Sequence, residues 1–334
     1  MPGEYVGHLP PHDSLYGYLR HDILPQIGVT SDRLDFRVFR IQSRRVYLYE
    51  EKHSGAQVLG KFFYTDGQDG AKAAGRMRQE FHNLHQLRSY GLDRYPHEVV
   101  RPLGVNDTLN CLLVEEYREG ISLSTLITNA IHLGRRDQLF RKLTALAYFL
   151  ATLHNRTTNG YGVDFAQDCG YLDQLVHTLL SRQIIAPWEA DEFYWLRDRW
   201  RDKPGMWADQ QVLVHGDATP SNFLFSDNLS VIAIDLERMK RADRVFDLGR
   251  VTGEIQHFFL QATGDKSMAE PFIGHFLWEY ACHFPARERA FRSITGRVPF
   301  QMALTLFRIA RNSWVSHAHR RRLIEEAKLT LRAF

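Results

Sequence analysis

Between Val212 and Asp247 the chain reads VLVHGDATPSNFLFSDNLSVIAIDLERMKRADRVFD, and this stretch constrains the fold more than any other. Val212-Leu213-Val214 and Val231 to Ile234 are short apolar, β-branched runs, so both are predicted strands. The first delivers the loop His215-Gly216-Asp217-Ala218-Thr219-Pro220-Ser221-Asn222, and Ser226-Asp227-Asn228 reads as the hairpin turn ahead of the second. Asp217, Asn222 and Asp235 therefore stand at strand ends or on the intervening loop, where a scaffold can aim them into one cleft. Taken singly, Asp217-Ala218 and Ser226-Asp227-Asn228 are ordinary Asx turns and Asp235 is a strand-end cap. The ordered set, with strands on both sides, is what points to chemistry.

Asn222 lies five residues after Asp217, and Asp235 thirteen after Asn222. Phosphoryl-transfer sites of the protein-kinase class place a base Asp, an Asn five positions on, and a metal-binding Asp across a hairpin in this order. A magnesium ion takes carboxylate and amide oxygens together with phosphate oxygens, and an acceptor hydroxyl needs a carboxylate beside it. Asp217 is thus the candidate base, and Asn222 and Asp235 are candidate metal ligands, with Glu237 behind them or on a second ion. His215 is expected to hold the loop through a backbone bond. Asp247, at the start of an apparent helix, reads either as a helix cap or as a brace beneath the loop, and both readings stay open.

The length of 334 residues is enough for two domains or lobes. With 44% hydrophobic and 24% charged residues the composition is that of a globular protein. No uninterrupted apolar run reaches the length of a membrane span, so no membrane partner is expected. The opening residues, MPGEYVGHLPPHDSLYGYLRHD, carry neither the basic nor the apolar region of a secretory signal. Cys111, Cys169 and Cys282 are scattered, with neither disulfide nor zinc spacing. The expectation is a cytoplasmic protein, monomer or homodimer. A net charge of +3 is too small to argue for nucleic acid. The runs Arg238-Lys240-Arg241-Arg244 and His319-Arg320-Arg321-Arg322 lack interleaved aromatics, so they read as solvated faces.

Earlier in the chain, Asp13 is predicted to cap a short helix to Ile23 that Pro25 and Gly28 close. Residues 36–41, 45–50 and 57–63 read as a three-stranded antiparallel meander with Lys61 on its last strand. From Lys72 the period changes: Phe81, Leu84 and Leu87 mark a helix that breaks at Gly91 and carries Glu80. Residues 99–105 and 111–115 supply two more strands, and 115–120 a hinge. A lone ammonium among Leu59, Phe62 and Phe63 needs an anion, either a ligand phosphate or Glu80, nineteen residues on. Beyond the hinge the pattern is helical: residues 143–154, 172–180, 190–200, 248–259, 268–282, 299–317 and 319–331, with a loop at 159–169.

These elements resemble the aminoglycoside phosphotransferase and choline kinase-like superfamily. Its catalytic loop H-G-D-x-x-x-x-N is matched by His215 to Asn222, its metal-binding strand end by Ile234-Asp235-Leu236-Glu237, and its following D-L helix start by Asp247-Leu248. The resemblance implies an α+β, two-lobed protein-kinase-like fold. Residues 1–116 would form a small antiparallel-sheet lobe with one helix, and residues 117–334 a larger, mainly helical lobe. It implies an ATP- and magnesium-dependent enzyme that phosphorylates a hydroxyl of a small molecule: an aminoglycoside, sugar, amino alcohol or related metabolite. On that pattern Asp217 is the base and Asn222 and Asp235 hold Mg2+. Lys61 contacts the α- and β-phosphates, Glu80 steadies it, and Glu116 and Arg118 offer backbone groups to the adenine edge. Three positions depart from the family. The loop Gln42-Ser43-Arg44-Arg45 has no glycine, so Ser43 and Arg44 are the candidate phosphate contacts there. Ala218-Thr219 replaces the commoner Leu-His, and Glu237 is the second acid on the metal side. An inactive nucleotide-binding scaffold is the first alternative. A protein kinase is the second, disfavoured because Asp247 comes only twelve residues after Asp235.

Overall fold

Period-two alternation between Phe36 and Phe62 produces a meander of three antiparallel strands, flanked by a further strand from nearer the N-terminus: β1 (Glu4–His8), β2 (Phe36–Arg40), β3 (Val46–Glu51) and β4 (Gln57–Phe62). The computed structural model describes residues 3–31, 33–41, 45–65, 67–227 and 229–333. The chain divides into two units, Met1–Gly120 with Ile232–Arg238, and Ile121–Val231 with Met239–Phe334.

In the first unit, Asp13 caps α1 (Ser14–Tyr18) by accepting the Leu15 N–H. The helical path continues as a π turn and a 3₁₀ turn to Ile27, and Gly28 closes it at φ 78°. Leu15, Tyr16, Leu19 and Ile23 pack on Phe36, Val38, Tyr49, Val58, Leu112 and Val114, and so cover one face of the sheet. The helix α2 (Gly70–Ser89) is capped by Asp69 and buries the stripe Ala73, Met77, Glu80, Leu84 and Leu87, at three- and four-residue spacing. Glu80 therefore lies on the inward face of its helix rather than on the outer surface. After the short pair β5 (Asp93–Arg94) and β6 (His97–Val99), β7 (Pro102–Asn106) and β8 (Leu112–Glu116) complete the sheet order β1-β2-β3-β4-β8-β7. The register sets Leu59 opposite Glu115 and Lys61 opposite Leu113, so Lys61 and Glu115 share one face of the sheet.

Three expectations need correction. Glu115 is a buried residue inside β8, not part of a hinge, because its strand pairs on both sides. The loop expected at residues 159–169 gives way to helix at Phe165, where Asp164 accepts the Ala166 N–H and starts α5. The helix expected over 299–317 stops at Ala310, and Ser316 caps a separate helix. The strand β1 and the ribbon β5–β6 come in addition to the predicted elements.

The second unit opens with β9 (Ile121–Ser122), whose Ser122 caps α3 (Leu123–His132). It continues through α4 (Arg136–Arg156), α5 (Phe165–Ser181) and α6 (Pro187–Arg201). The strand β10 (Val212–Val214) precedes β11 (Phe223–Phe225), which pairs with β9, and β12 (Val231–Ala233) carries the chain back to the first unit. The strand β13 (Lys240–Ala242) pairs with β10. Five helices follow: α7 (Val245–Thr263), α8 (Glu270–Ala281), α9 (Arg287–Thr295), α10 (Val298–Ala310) and α11 (His317–Arg332). Phe165, Phe193, Trp200, Phe300 and Phe307 fill the core among α5, α6, α10 and α11. Two glycines one turn apart let α7 and α10 touch. A Cβ on Gly249 would stand 2.2 Å from the Gln301 Cβ, and one on Gly253 2.7 Å from the Thr305 Cβ. No helix among the described residues is long and apolar enough to cross a membrane.

Candidate active site

In the first unit an ammonium sits among carboxylates. The Lys61 Nζ donates to Glu80 Oε2 at 2.7 Å, to Glu80 Oε1 at 3.0 Å and to Asp235 Oδ1 at 2.5 Å. Lys61 is brought by β4, Glu80 by α2, and Asp235 by the turn after β12. Burial alone would push the Lys61 ammonium down, but Glu80 and Asp235 outweigh it and hold it above its ordinary range. Burial pushes the Glu80 and Glu115 carboxyls up, while Lys61 pulls both back. Asp235 adopts φ 63°, a left-handed backbone conformation that Asp reaches more readily than most side-chain-bearing residues, and its carboxylate faces Lys61. The segment is pinned by α2: Asn83 Nδ2 donates to the Leu236 carbonyl at 2.7 Å, and Gln79 Nε2 donates to Asn83 Oδ1 at 2.8 Å.

Carboxylate oxygens of Glu80, Asp235 and Glu237 lie within 4.8 Å of one another. Three hard oxygen donors this close together form a donor set that suits a divalent magnesium ion. Asp235 and Glu237 are thus together in one unit, while Asn222 belongs to the other.

In the second unit the loop after β10 is held from below. Asp247, fully buried, accepts the His215 N–H at 2.7 Å and the Gly216 N–H at 3.1 Å through its two oxygens. Gly216, at φ 80°, supplies the turn that brings both amides round. Asp247 also faces His154 Nε2 at 3.3 Å, and His154 Nδ1 meets the Tyr280 hydroxyl at 2.8 Å. Burial keeps His154 uncharged, and the His154 and His215 contacts hold Asp247 ionised against its own burial. Of the two readings of Asp247, the structure selects the brace. His215 Nδ1 accepts the Asp217 N–H at 3.3 Å, the backbone bond expected of it. Asn222 Nδ2 donates to the Asp217 carbonyl at 2.9 Å, which closes the loop, and Ser221 Oγ donates to Asn222 Oδ1 at 3.2 Å.

The Asp217 carboxylate has a partner that no local pattern announces. Arg308 on α10 donates to Asp217 Oδ1 at 3.2 Å and to Glu254 Oε1 on α7 at 3.0 Å. One guanidinium thus ties the candidate base to a buried acid 37 residues further on in sequence.

The remaining candidates lie elsewhere in the first unit. Arg118 forms a fork on Glu98, at 2.5 and 3.2 Å, and lies 4.0 Å from Glu116. The Glu116 N–H is already donated to the Arg101 carbonyl at 2.9 Å, so that N–H is not on offer to a base edge. Ser43 and Arg44 lie outside the described residues. Glu115, Asn83, Glu254 and Arg308 escaped the sequence reading. Only Asn83 had a usable signal, standing three residues after Glu80 on the same helical face.

A sequence profile of the phosphotransferase enzyme family matches residues 35–283. Solved structures agree in fold. An ethanolamine kinase from Plasmodium vivax superposes with a TM-score of 0.60 at 14% identity, covering 96% of this chain and 89% of its own. An aminoglycoside 2'-phosphotransferase in complex with GDP gives 0.57 at 13% identity, covering 95% of this chain and 99% of its own. A choline kinase from Streptococcus pneumoniae gives 0.51 at 18% identity, covering 89% of this chain and 92% of its own. No curated protein sequence matches the chain.

Proposed function

This chain belongs to the phosphotransferase enzyme family, and from that premise we propose that it is an ATP- and magnesium-dependent kinase acting on a hydroxyl of a small molecule. The observation that carries the reading is the ion cluster of Lys61, Glu80 and Asp235, an arrangement that suits gripping a triphosphate. Lys61, held charged and aimed by Glu80, binds the α- and β-phosphates. Asp235 and Glu237 would hold magnesium, which would supply positive charge to the phosphates, and Asn222 is the further candidate ligand from the sequence pattern. The Glu116 carbonyl and the Arg118 backbone remain the candidates to border the base.

Asp217 accepts a hydrogen bond from the acceptor hydroxyl and aligns its oxygen with the γ-phosphorus. The new O–P bond forms as the bond to the β,γ-bridging oxygen breaks. ADP departs with that electron pair, and the hydroxyl proton passes to Asp217. The loop brace from Asp247 and the Arg308 tie keep the Asp217 carboxylate in place before the acceptor arrives. A reducing, ATP-rich cytoplasm suits this chemistry and the three free cysteines.

ATP consumption over a panel of sugars, amino alcohols, aminoglycosides and nucleosides, with Asp217→Asn as control, tests the proposal. Acceptor-stimulated turnover that collapses in the variant is the expected result. Full turnover retained by Asp217→Asn would remove the assigned base.

A further inference from the structure

We propose that the cavity beside the Asp217 loop in the second unit is the acceptor subsite, and that it takes a neutral sugar ring stacked on Trp314. The inference rests on the kinase reading above and deepens it by naming the acceptor class.

The cavity encloses about 340 Å³ and is lined by Ser124 of α3, Ser221 of the loop, Glu254, His257 and Gln261 of α7, and Trp314. This is the small end of ligand sites and accommodates a single ring. Its position follows from the base: Ser221 lies four residues after Asp217, and Glu254 is one guanidinium away from it through Arg308.

Trp314 owes its place to the helix break that the sequence pattern concealed. It stands between α10 and α11, 66% exposed, while the next residue, Val315, is buried and anchors the turn. Its ring meets His257 edge-on, with centroids 6.4 Å apart. An indole left in water beside a polar cavity offers the flat apolar face that the C–H side of a sugar ring covers. The opposite walls carry neutral hydrogen-bonding groups. The two serine hydroxyls and the Gln261 amide match the hydroxyls of such a ring. Burial, with help from His319, pushes His257 down to about 4, so this imidazole is uncharged, and its Nδ1 lies 3.1 Å from His319 Nε2.

Charge argues against a cationic acceptor. Among the described lining residues Glu254 is the one acid, and its carboxylate is already matched by Arg308. Burial pushes that carboxyl up to about 7, with Arg250 opposing and Asp217 adding to the rise. An ammonium placed there would find, among the described lining residues, only an acid already paired with Arg308.

The test uses the full-length protein with Mg-ATP and follows ADP release. Neutral hexoses, pentoses and nucleosides are compared with amino alcohols and aminoglycosides at equal concentration. The expected best acceptor is a neutral sugar, with kcat/KM at least a hundredfold above that of any cationic acceptor. For that sugar, Trp314→Ala is expected to raise KM at least tenfold, with a much smaller fall in kcat, and Trp314→Phe to recover most of the loss. Trp195→Ala, on an exposed tryptophan of α6 outside the cavity, is expected to leave the kinetics alone. Asp217-dependent transfer to a cationic acceptor in preference would overturn the subsite and leave the kinase reading standing. So would a Trp314→Ala variant whose acceptor KM stays within twofold. Failure of every acceptor of both classes would overturn the kinase reading and this inference with it.

Discussion

In the proposed chemistry Lys61 and Asp217 carry the two decisive charges, and each residue is held by more than one partner. Two carboxylates hold the Lys61 ammonium, so exchanging it for Met removes the cation and leaves Glu80 buried beside Asp235 without it. Lys61→Met is expected to lower kcat/KM for ATP about a hundredfold to a thousandfold, read by ADP-release kinetics, with weaker nucleotide binding in titration. Arg308 is a positioning residue rather than a catalytic one, because it acts through the Asp217 carboxylate it holds at 3.2 Å. Arg308→Met is expected to lower kcat roughly tenfold to a hundredfold by loosening that carboxylate. KM for ATP should change little, and Arg308→Lys should recover part of kcat. A loss confined to thermal stability, with kcat intact, would make the arginine structural only. The candidates Asp217, Asn222 and Asp235 stood out in the sequence because the spacing of a loop and a hairpin is local. Arg308 did not, since it lies 91 residues from Asp217 and in isolation is one more arginine on an amphipathic helix.

At the scale of elements, the geometry depends on how closely helices approach and how loops are tied. Gly249 and Gly253 place α7 against α10, and it is this contact that brings Glu254 and Arg308 together. Gly253→Ala inserts a methyl 2.7 Å from the Thr305 Cβ. The helices must separate, with an expected loss of about 1–3 kcal/mol in chemical denaturation and a fall in kcat beyond what the stability loss explains. The brace beneath the loop makes a second demand. Asp247→Ala strands two buried amides and the His154 imidazole, and is expected to cost roughly 2–4 kcal/mol. Hydrogen exchange should quicken first at His215 and Gly216. Periodicity revealed α2 and α4 because their apolar stripes are long. It ran α10 through the break at residues 311–316, because the buried Val315 continues an apolar pattern across a turn. It ended a strand at Glu115 and began the hinge there, one residue short of β8, because a carboxylate reads as polar whatever face of a strand it occupies.

For the molecule as a whole, the sequence suggested a single cut after residue 116, whereas Ile232–Arg238 packs with the N-terminal unit. No composition shift marks such a return, since it follows from Asn83 and Lys61 reaching for Leu236 and Asp235. Stability should carry the signature of a carboxylate far from any motif. Burial would push Glu51 up, but the Ser54 hydroxyl and amide and the Asp35 and His53 amides outweigh it, taking the carboxyl from its ordinary 4.5 to about 2. A group depressed in the folded state contributes stability that is present above its unfolded value and is lost as pH falls through the folded one. Between about pH 4.5 and 2 this residue should therefore withdraw roughly 2–3 kcal/mol. Denaturation curves at pH 6 and 2.5 should show a smaller drop for Glu51→Gln. The central claim, that the γ-phosphoryl group moves from ATP to a hydroxyl under the control of Asp217, is tested most directly by following labelled γ-phosphate in the presence of an acceptor. The expected result is one label in a phosphate monoester for each ADP formed, falling about a hundredfold to ten-thousandfold in rate in Asp217→Asn. Label recovered only as inorganic phosphate, or transferred equally fast by the variant, would contradict it.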